Sequence, residues 1–300
     1  MAEGGIRRGT AHPVAARVVF NRELPGGYGL LRLQVGRVAR RVLPGHFAQV
    51  ICDDHLTLPR PFSLMDADPV QGTVDIFYRV VGVGTALMAS WQGGEEVRVL
   101  LPLGHPFSWP EGKVNVLLIA GGAGLAPVHF FARRLVERGH APVLTWGIET
   151  ESPLMTIAAR MDGFPLNVVF EGGAPVALAA LDAVGVSSRL ASMEAISGRF
   201  HGYVTDLARE YLVQSAAPSR ARTVVYACGP VPMLRAVHAV AEQFGLRGQV
   251  SFEERMACGF GVCAACVAPM RQGEEGGWTY RKICTEGPVF AIADVAWENV

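Results

Sequence analysis

Four of the six cysteines crowd the C-terminal end: Cys258, Cys263 and Cys266 in ACGFGVCAACV, then Cys284 in RKICTEGP. The spacing C-x4-C-x2-C, followed by one distant cysteine, is that of a [2Fe–2S] cluster held by four thiolates. Three ligands on one tight loop wrap a compact inorganic core, and the fourth closes it from elsewhere. Gly259 and Gly261 let the backbone bend and bring amide N–H groups close to sulfur. Two other readings compete. Cys263 and Cys266 alone form the C-x2-C knuckle of structural zinc, but the second half is here the single Cys284. A disulfide pair is the third reading, and the clustering of three cysteines on one loop argues against it.

A one-electron centre needs a partner that supplies or removes electrons. Arg60–Ser63 reads RPFS, and Phe77–Thr85 reads FYRVVGVGT. Arg60 can offer a bidentate guanidinium to a pyrophosphate, and Ser63 can hydrogen-bond a ring nitrogen. Gly82 and Gly84 free the backbone to approach a phosphate, and Thr85 opens a helix whose N-terminus favours an anion. Each piece alone is a short motif that also arises as a plain turn; together they specify a flavin site. Farther on, GGAGLAP at Gly121–Pro127 follows an apolar run and can cradle a dinucleotide pyrophosphate, or be a tight strand–helix turn. ACGP places Cys228 at a strand end, where it either reaches a nicotinamide or is a buried structural cysteine. Glu149 can bond a ribose hydroxyl and disfavour a 2′-phosphate, or be a solvated loop carboxylate. The eight histidines have no metal-ligand spacing.

These residues need elements to hold them. AARVVF, YGLLRLQV, HFAQVIC, TVDIFYRVV and EEVRVLLPL are short Val/Leu/Phe-rich runs separated by Gly/Pro turns, predicting a small antiparallel barrel. TALMASW interrupts them as a helix. From residue 113 the period changes. VNVLLIA, PVLTWGI, LNVVFEG and TVVYACG read as strands. PVHFFARRLVERG, TDLAREYLVQ and PVPMLRAVHAVAEQFG read as helices, implying a doubly wound parallel sheet. Gly173–Ser197 is Ala-rich and free of motifs, and reads as a surface insertion or an extra helix. RQGEEGGWTYRK reads as a polar hairpin loop. The expected organisation is an N-terminal tail (1–12), an FAD-binding antiparallel β-barrel (13–112), an NAD-binding α/β domain (113–250) and a small [2Fe–2S] domain (251–300).

Half of the residues are apolar, enough for real cores, and the formal net charge is +0. That balance makes no electrostatic case for nucleic acid or an anionic membrane. Val114–Ala132 carries no charge and approaches the length of a membrane span, but GGAGLAP in its middle breaks a spanning helix. The start, MAEGGIRRGTAHP, lacks the apolar core of a secretory signal. A soluble cytoplasmic protein is expected.

RPxS and GxGT on a barrel, with GGxGxAP and CGP on an α/β domain, resemble the ferredoxin–NADP reductase superfamily. SFEERMACGFGVCAACV with CTEGPVF is similar to the electron-transfer subunits of NAD-dependent dihydroorotate dehydrogenases of the B type. The resemblance covers residues 13 to 300. It implies FAD contacts from Arg60, Pro61, Phe62, Ser63, Phe77, Tyr78, Arg79, Gly84 and Thr85, with Ser63 at flavin N5. NAD would meet Gly121, Gly122, Gly124, Pro127, Gly229 and Pro230, with Cys228 on the nicotinamide side. Cys258, Cys263, Cys266 and Cys284 would hold the cluster. The implied partner is an FMN-containing catalytic subunit, two of each chain forming a heterotetramer that serves pyrimidine biosynthesis. HGYVTD matches the family's GxVTD only after the Ala-rich stretch. Two relatives of this module compete: the small subunit of an NADH-dependent ferredoxin:NADP oxidoreductase, and that of a sulfide dehydrogenase. A zinc-stabilised interaction module is the non-enzymatic alternative.

Overall fold

The computed structural model describes residues 11–160, 164, 168–273 and 277–300. The chain forms two compact units. One comprises the residues up to Phe107 with Ser251–Phe290 and Asp294–Val300; the other comprises Ser108–Val250 with Ala291–Ala293.

In the first unit six strands close a barrel: β1 (His12–Leu24), β2 (Tyr28–Gln34), β3 (Phe47–Ile51), β4 (Arg60–Asp68), β5 (Thr73–Arg79) and β6 (Glu96–Leu103), in the order β1-β2-β5-β4-β3-β6. Leu31, Leu33, Val50, Leu64, Val74 and Ile76 are buried, as period-2 alternation requires of an inward face. Pairing of β1 with β6, Arg17 opposite Glu96 among others, leaves no open edge. Arg32 faces Asp75 across the β2–β5 ladder and makes a 2.6 Å ion pair with it. Five of these strands correspond to the runs read from the sequence. The sixth, β4, begins with the RPFS motif itself. Its Pro61 masks the strand signal, yet a proline close to a strand's start is tolerated. Helix α1 (Val83–Ala89) follows β5.

The second unit carries the parallel sheet. Its elements in chain order are β7 (Asn115–Gly121), α2 (Leu125–Glu137), β8 (Val143–Gly147), β9 (Thr156–Ala158), β10 (Val176–Leu178), α3 (Ala179–Asp182), β11 (Ser187–Ser192), β12 (Phe200–His201), α4 (Val204–Gln214), α5 (Ala217–Arg220), β13 (Thr223–Gly229), α6 (Val231–Phe244) and β14 (Arg247–Phe252). The order is β12-β11-β8-β7-β13-β14, with β12 to β13 all parallel. Both faces of the central strands are covered, so β7 and β13 are buried along almost their whole length. The uncharged run Val114–Ala132 is the buried strand, turn and helix that its glycines foretell. Among the described residues no helix is long and apolar enough to cross a membrane.

Two expectations need correcting here. Gly173–Ser197 is not a surface insertion: beside the short helix α3, which meets the extra-helix reading, it supplies β11, which lies in the sheet beside β8 with Leu190 and Ala191 fully buried. Its alanines hide a strand because small residues fit a crowded interior but carry little β signal. LNVVFEG forms no strand over Val168–Phe170; Leu166 and Asn167 lie outside the described residues.

The cysteine-bearing segment belongs to the first unit. β15 (Val267–Gln272) and β16 (Gly277–Lys282) form the expected hairpin, Val267 opposite Lys282, with Glu274–Gly276 outside the described residues. The short helix α7 (Ile283–Glu286) then carries Cys284.

Candidate functional site

The loop Cys258–Cys266 is built by local backbone bonds around sulfur. The Cys258 thiol accepts the N–H of Cys263 at 3.5 Å. Burial opposes its ionisation, but the backbone N–H groups of Cys263, Phe260 and Val262 outweigh it and pull the thiol down to about 6. Cys266 and Cys284 are buried side by side. Burial and then the Cys266 thiol push Cys284 up to about 12. The four cysteines thus fall into two pairs, Cys258 with Cys263 and Cys266 with Cys284. Among the described residues no three His, Cys, Asp or Glu side chains converge on one point as ligands of a single ion. Two pairs suit two irons, each taking two thiolates.

The loop is braced by the segment Lys282–Thr285 and by β3. Ile283 donates its N–H to the Cys266 carbonyl at 2.8 Å, and Lys282 Nζ donates to the Gly261 carbonyl at 2.7 Å. A Cβ at Gly261 would stand 2.8 Å from Thr285 Cγ2. Gln49 of β3 lies against Gly259, where a Cβ would stand 2.6 Å from Gln49 Cγ; Gly259 also has φ +76. Ala264, between the second and third cysteines, takes φ 53, a left-handed conformation that costs an L-residue about 1–2 kcal/mol. Strain at a non-glycine position persists only where the surrounding structure imposes it, and it often marks a functional loop. Cys263 is exposed and flanked by exposed Phe260 and Val262.

The RPFS and GVGT pieces, far apart in sequence, meet on the barrel. Arg60 packs on Gly84, where a Cβ would stand 3.2 Å from Nε, and its Nη1 donates to the Leu58 carbonyl at 2.5 Å. Thr85 accepts the N–H groups of Val81 and Gly82 at 2.9 and 3.1 Å and donates to the Gly82 carbonyl at 3.0 Å. Its hydroxyl is spent shaping the turn, so what the turn offers an anion is backbone. Pro61, Phe62 and Ser63 are half-buried. Phe77 stacks on Tyr28 at 4.9 Å, and Tyr78 bonds Asn21 Oδ1 at 3.0 Å. Both are buried in the barrel wall, while Arg79 is exposed with its guanidinium 5.6 Å from the Tyr28 ring centre.

In the second unit the GGAG and CGP turns close on each other at the ends of adjacent strands, Cys228 opposite Ala120. Gly121 abuts Pro230 and Met233, and Gly124 abuts the Cys228 carbonyl. Trp146 Nε1 donates to the Gly122 carbonyl at 3.0 Å, pinning the turn. Gly229 and Pro127 are buried and Pro230 is exposed. Cys228 is fully buried. Glu149 is exposed, just past the end of β8.

Residues 253–296 match the family described as the iron-sulfur cluster binding domain of dihydroorotate dehydrogenase B. The chain is 36% identical to the dihydroorotate dehydrogenase B (NAD(+)) electron transfer subunit of Shouchella clausii (strain KSM-K16), over 84% of this chain and 86% of that protein. The chain belongs to the family of dihydroorotate dehydrogenase B electron transfer subunits. The subunit of Bacillus mycoides (strain KBAB4) is 31% identical over 93% of this chain and 96% of its own. Among solved structures, an NADH-dependent reduced ferredoxin-NADP oxidoreductase superposes with a TM-score of 0.75 at 22% identity, covering 95% of this chain and 91% of that one. A ferredoxin-NADP+ reductase from Plasmodium falciparum gives 0.58 at 13% identity, over 80% and 94%. These two likenesses concern the fold, and they bear out the barrel and α/β reading.

The family resemblance read from RPFS, GGAGLAP and the cysteine tail holds. Sequence reasoning missed three supporting residues. Lys282 and Gln49 brace the cysteine loop, and neither belongs to a motif. Arg199 is buried and donates to the carbonyls of Ile148 at 3.2 Å and Thr150 at 2.7 Å, on either side of Glu149. A lone arginine in SGRFHG carries no spacing signal that could have marked it.

Proposed function

We propose that this chain passes electrons between a dihydroorotate-oxidising partner and NAD, by way of a [2Fe–2S] cluster on the cysteine loop and FAD on the barrel. The observation that carries the reading is the co-residence, in one unit, of the paired cysteines and the joined Arg60–Gly84 surface. When bound, FAD exchanges electrons in pairs with nicotinamide and singly with an iron–sulfur cluster. Cys258, Cys263, Cys266 and Cys284 hold the cluster, and the N–H groups around Cys258 stabilise its thiolate. Arg60 and the backbone at Gly84 and Thr85 hold the flavin pyrophosphate. Ser63 orients the flavin edge at N5, and Pro61, Phe62, Phe77, Tyr78 and Arg79 form the wall.

In the second unit Gly121, Gly122, Gly124 and Pro127 receive the NAD pyrophosphate at the start of α2, with Gly229, Pro230 and Cys228 toward the nicotinamide. Exposed Glu149 would repel a 2′-phosphate, which favours NADH over NADPH. The partner is an FMN-containing catalytic subunit, two copies of each chain forming the complex.

Among the described residues there is no barrel of strand–helix repeats to hold a dihydroorotate site. The isolated holoprotein should therefore reduce artificial dyes with NADH and leave dihydroorotate untouched, and addition of the FMN subunit should restore dihydroorotate-dependent NAD reduction. Turnover of dihydroorotate by the single chain would refute the reading.

A further inference from the structure

Gln49 is 2% exposed, and neither its Nε2 nor its Oε1 has a hydrogen-bond partner among the described residues. A buried carboxamide with both ends unmade is costly and demands an explanation. Its position narrows the choice. In the β3–β4 ladder Gln49 stands opposite Pro61 and Phe47 stands opposite Ser63. Opposed residues share a face, so Gln49 lies on the same sheet face as Ser63. The far end of the side chain rests on Gly259, next to the ligand Cys258. A Cβ there would stand 2.6 Å from Gln49 Cγ and 2.8 Å from Cδ. Glycine at 259 thus keeps the room in which this amide sits.

We infer that Gln49 donates its Nε2–H to a sulfur of the cluster at the Cys258 end, linking the flavin-bearing sheet face to the cysteine loop and setting the cluster's reduction potential. This rests on the reading of the loop as a [2Fe–2S] site. Reduction adds negative charge to the cluster, so a hydrogen bond to sulfur is stronger in the reduced state and raises the potential.

The test uses the full-length holoprotein, its iron and acid-labile sulfide assayed first. A parent chain without two of each would overturn the cluster reading itself, and this assay separates that failure from failure of the Gln49 inference. In Gln49→Met, which keeps length and loses the N–H, an EPR-monitored titration should show the reduction equilibrium of the cluster weakened about tenfold, ~59 mV for a one-electron couple. The flavin potential should stay put. The metal-free variant should melt no lower than the metal-free parent, because two unpaired polar atoms leave the interior. An unchanged cluster potential, or a shift confined to the flavin, would overturn the inference. A second measurement needs no variant. The reduced parent, labelled with ¹⁵N in glutamine side-chain amides, should show a ¹⁵N coupling to the cluster spin in pulsed EPR, and its absence would equally overturn it.

Discussion

Gly124 lies against the carbonyl of Cys228: a Cβ at 124 would stand 2.5 Å from the Cys228 carbonyl carbon and 2.7 Å from the Gly229 nitrogen. Two glycine-containing turns, on strands far apart in sequence, close on each other only because this side chain is missing. Gly124→Ala must push β7 and β13 apart or shift the turn, at a cost of about 1–3 kcal/mol. Urea unfolding should show that loss, and calorimetry should show weaker NADH binding with flavin content unchanged. Parent-like stability and NADH affinity would contradict this packing.

Cys258→Ser should abolish the cluster's visible and EPR signals and leave FAD bound, because the flavin surface is made by Arg60, Ser63 and Gly84 on other elements. Cys284→Ser should block NAD-linked activity of the complex with the FMN subunit while sparing dye reduction by NADH. Zinc in place of iron on elemental analysis would contradict the cluster assignment.

Arg60→Ala removes a guanidinium whose charge-assisted hydrogen bonds contribute roughly 1.5–3 kcal/mol. Flavin retention through gel filtration should fall, and the FAD dissociation constant should rise at least about tenfold. Ser63→Ala should bind FAD nearly as well and chiefly slow hydride exchange in stopped-flow reduction. Equal retention in Arg60→Ala and parent would remove the pyrophosphate role.

Two buried groups give the first unit opposite pH limbs. Burial, and then His105, lower His46 to about 4; its Nδ1 accepts the Leu43 N–H at 3.0 Å, so the fold holds it neutral. Its contribution is complete above its unfolded value near 6.5 and is lost as pH falls through about 4. Burial raises the half-buried Glu253 to about 7. The fold therefore prefers that carboxyl protonated, and its contribution is complete below about 4.5 and lost as pH rises through 7. Each limb has a slope of at most about 1.4 kcal/mol per pH unit. Denaturation midpoints from pH 4 to 8 should show His46→Gln flattening the acid limb and Glu253→Gln flattening the neutral one. Superimposable profiles would refute both assignments.

The cysteine loop is legible in the sequence because short spacings put Cys258, Cys263 and Cys266 on one loop. The same holds for the β7–turn–α2 unit, whose apolar run and glycines are local signals, and for Gly245, which ends α6 in the left-handed conformation. Tertiary structure alone decided the rest. It made a barrel strand of RPFS, whose proline masks the pattern, and a sheet strand of the Ala-rich Ser187–Ser192. It placed the cysteine loop in one unit with the barrel, and it brought Gln49 onto Gly259 and Gly124 onto Cys228. Spacing and periodicity are properties of neighbours along the chain. Those contacts are set by which strands pair and how closely their backbones approach, and chain closure fixes that only once the whole core has packed.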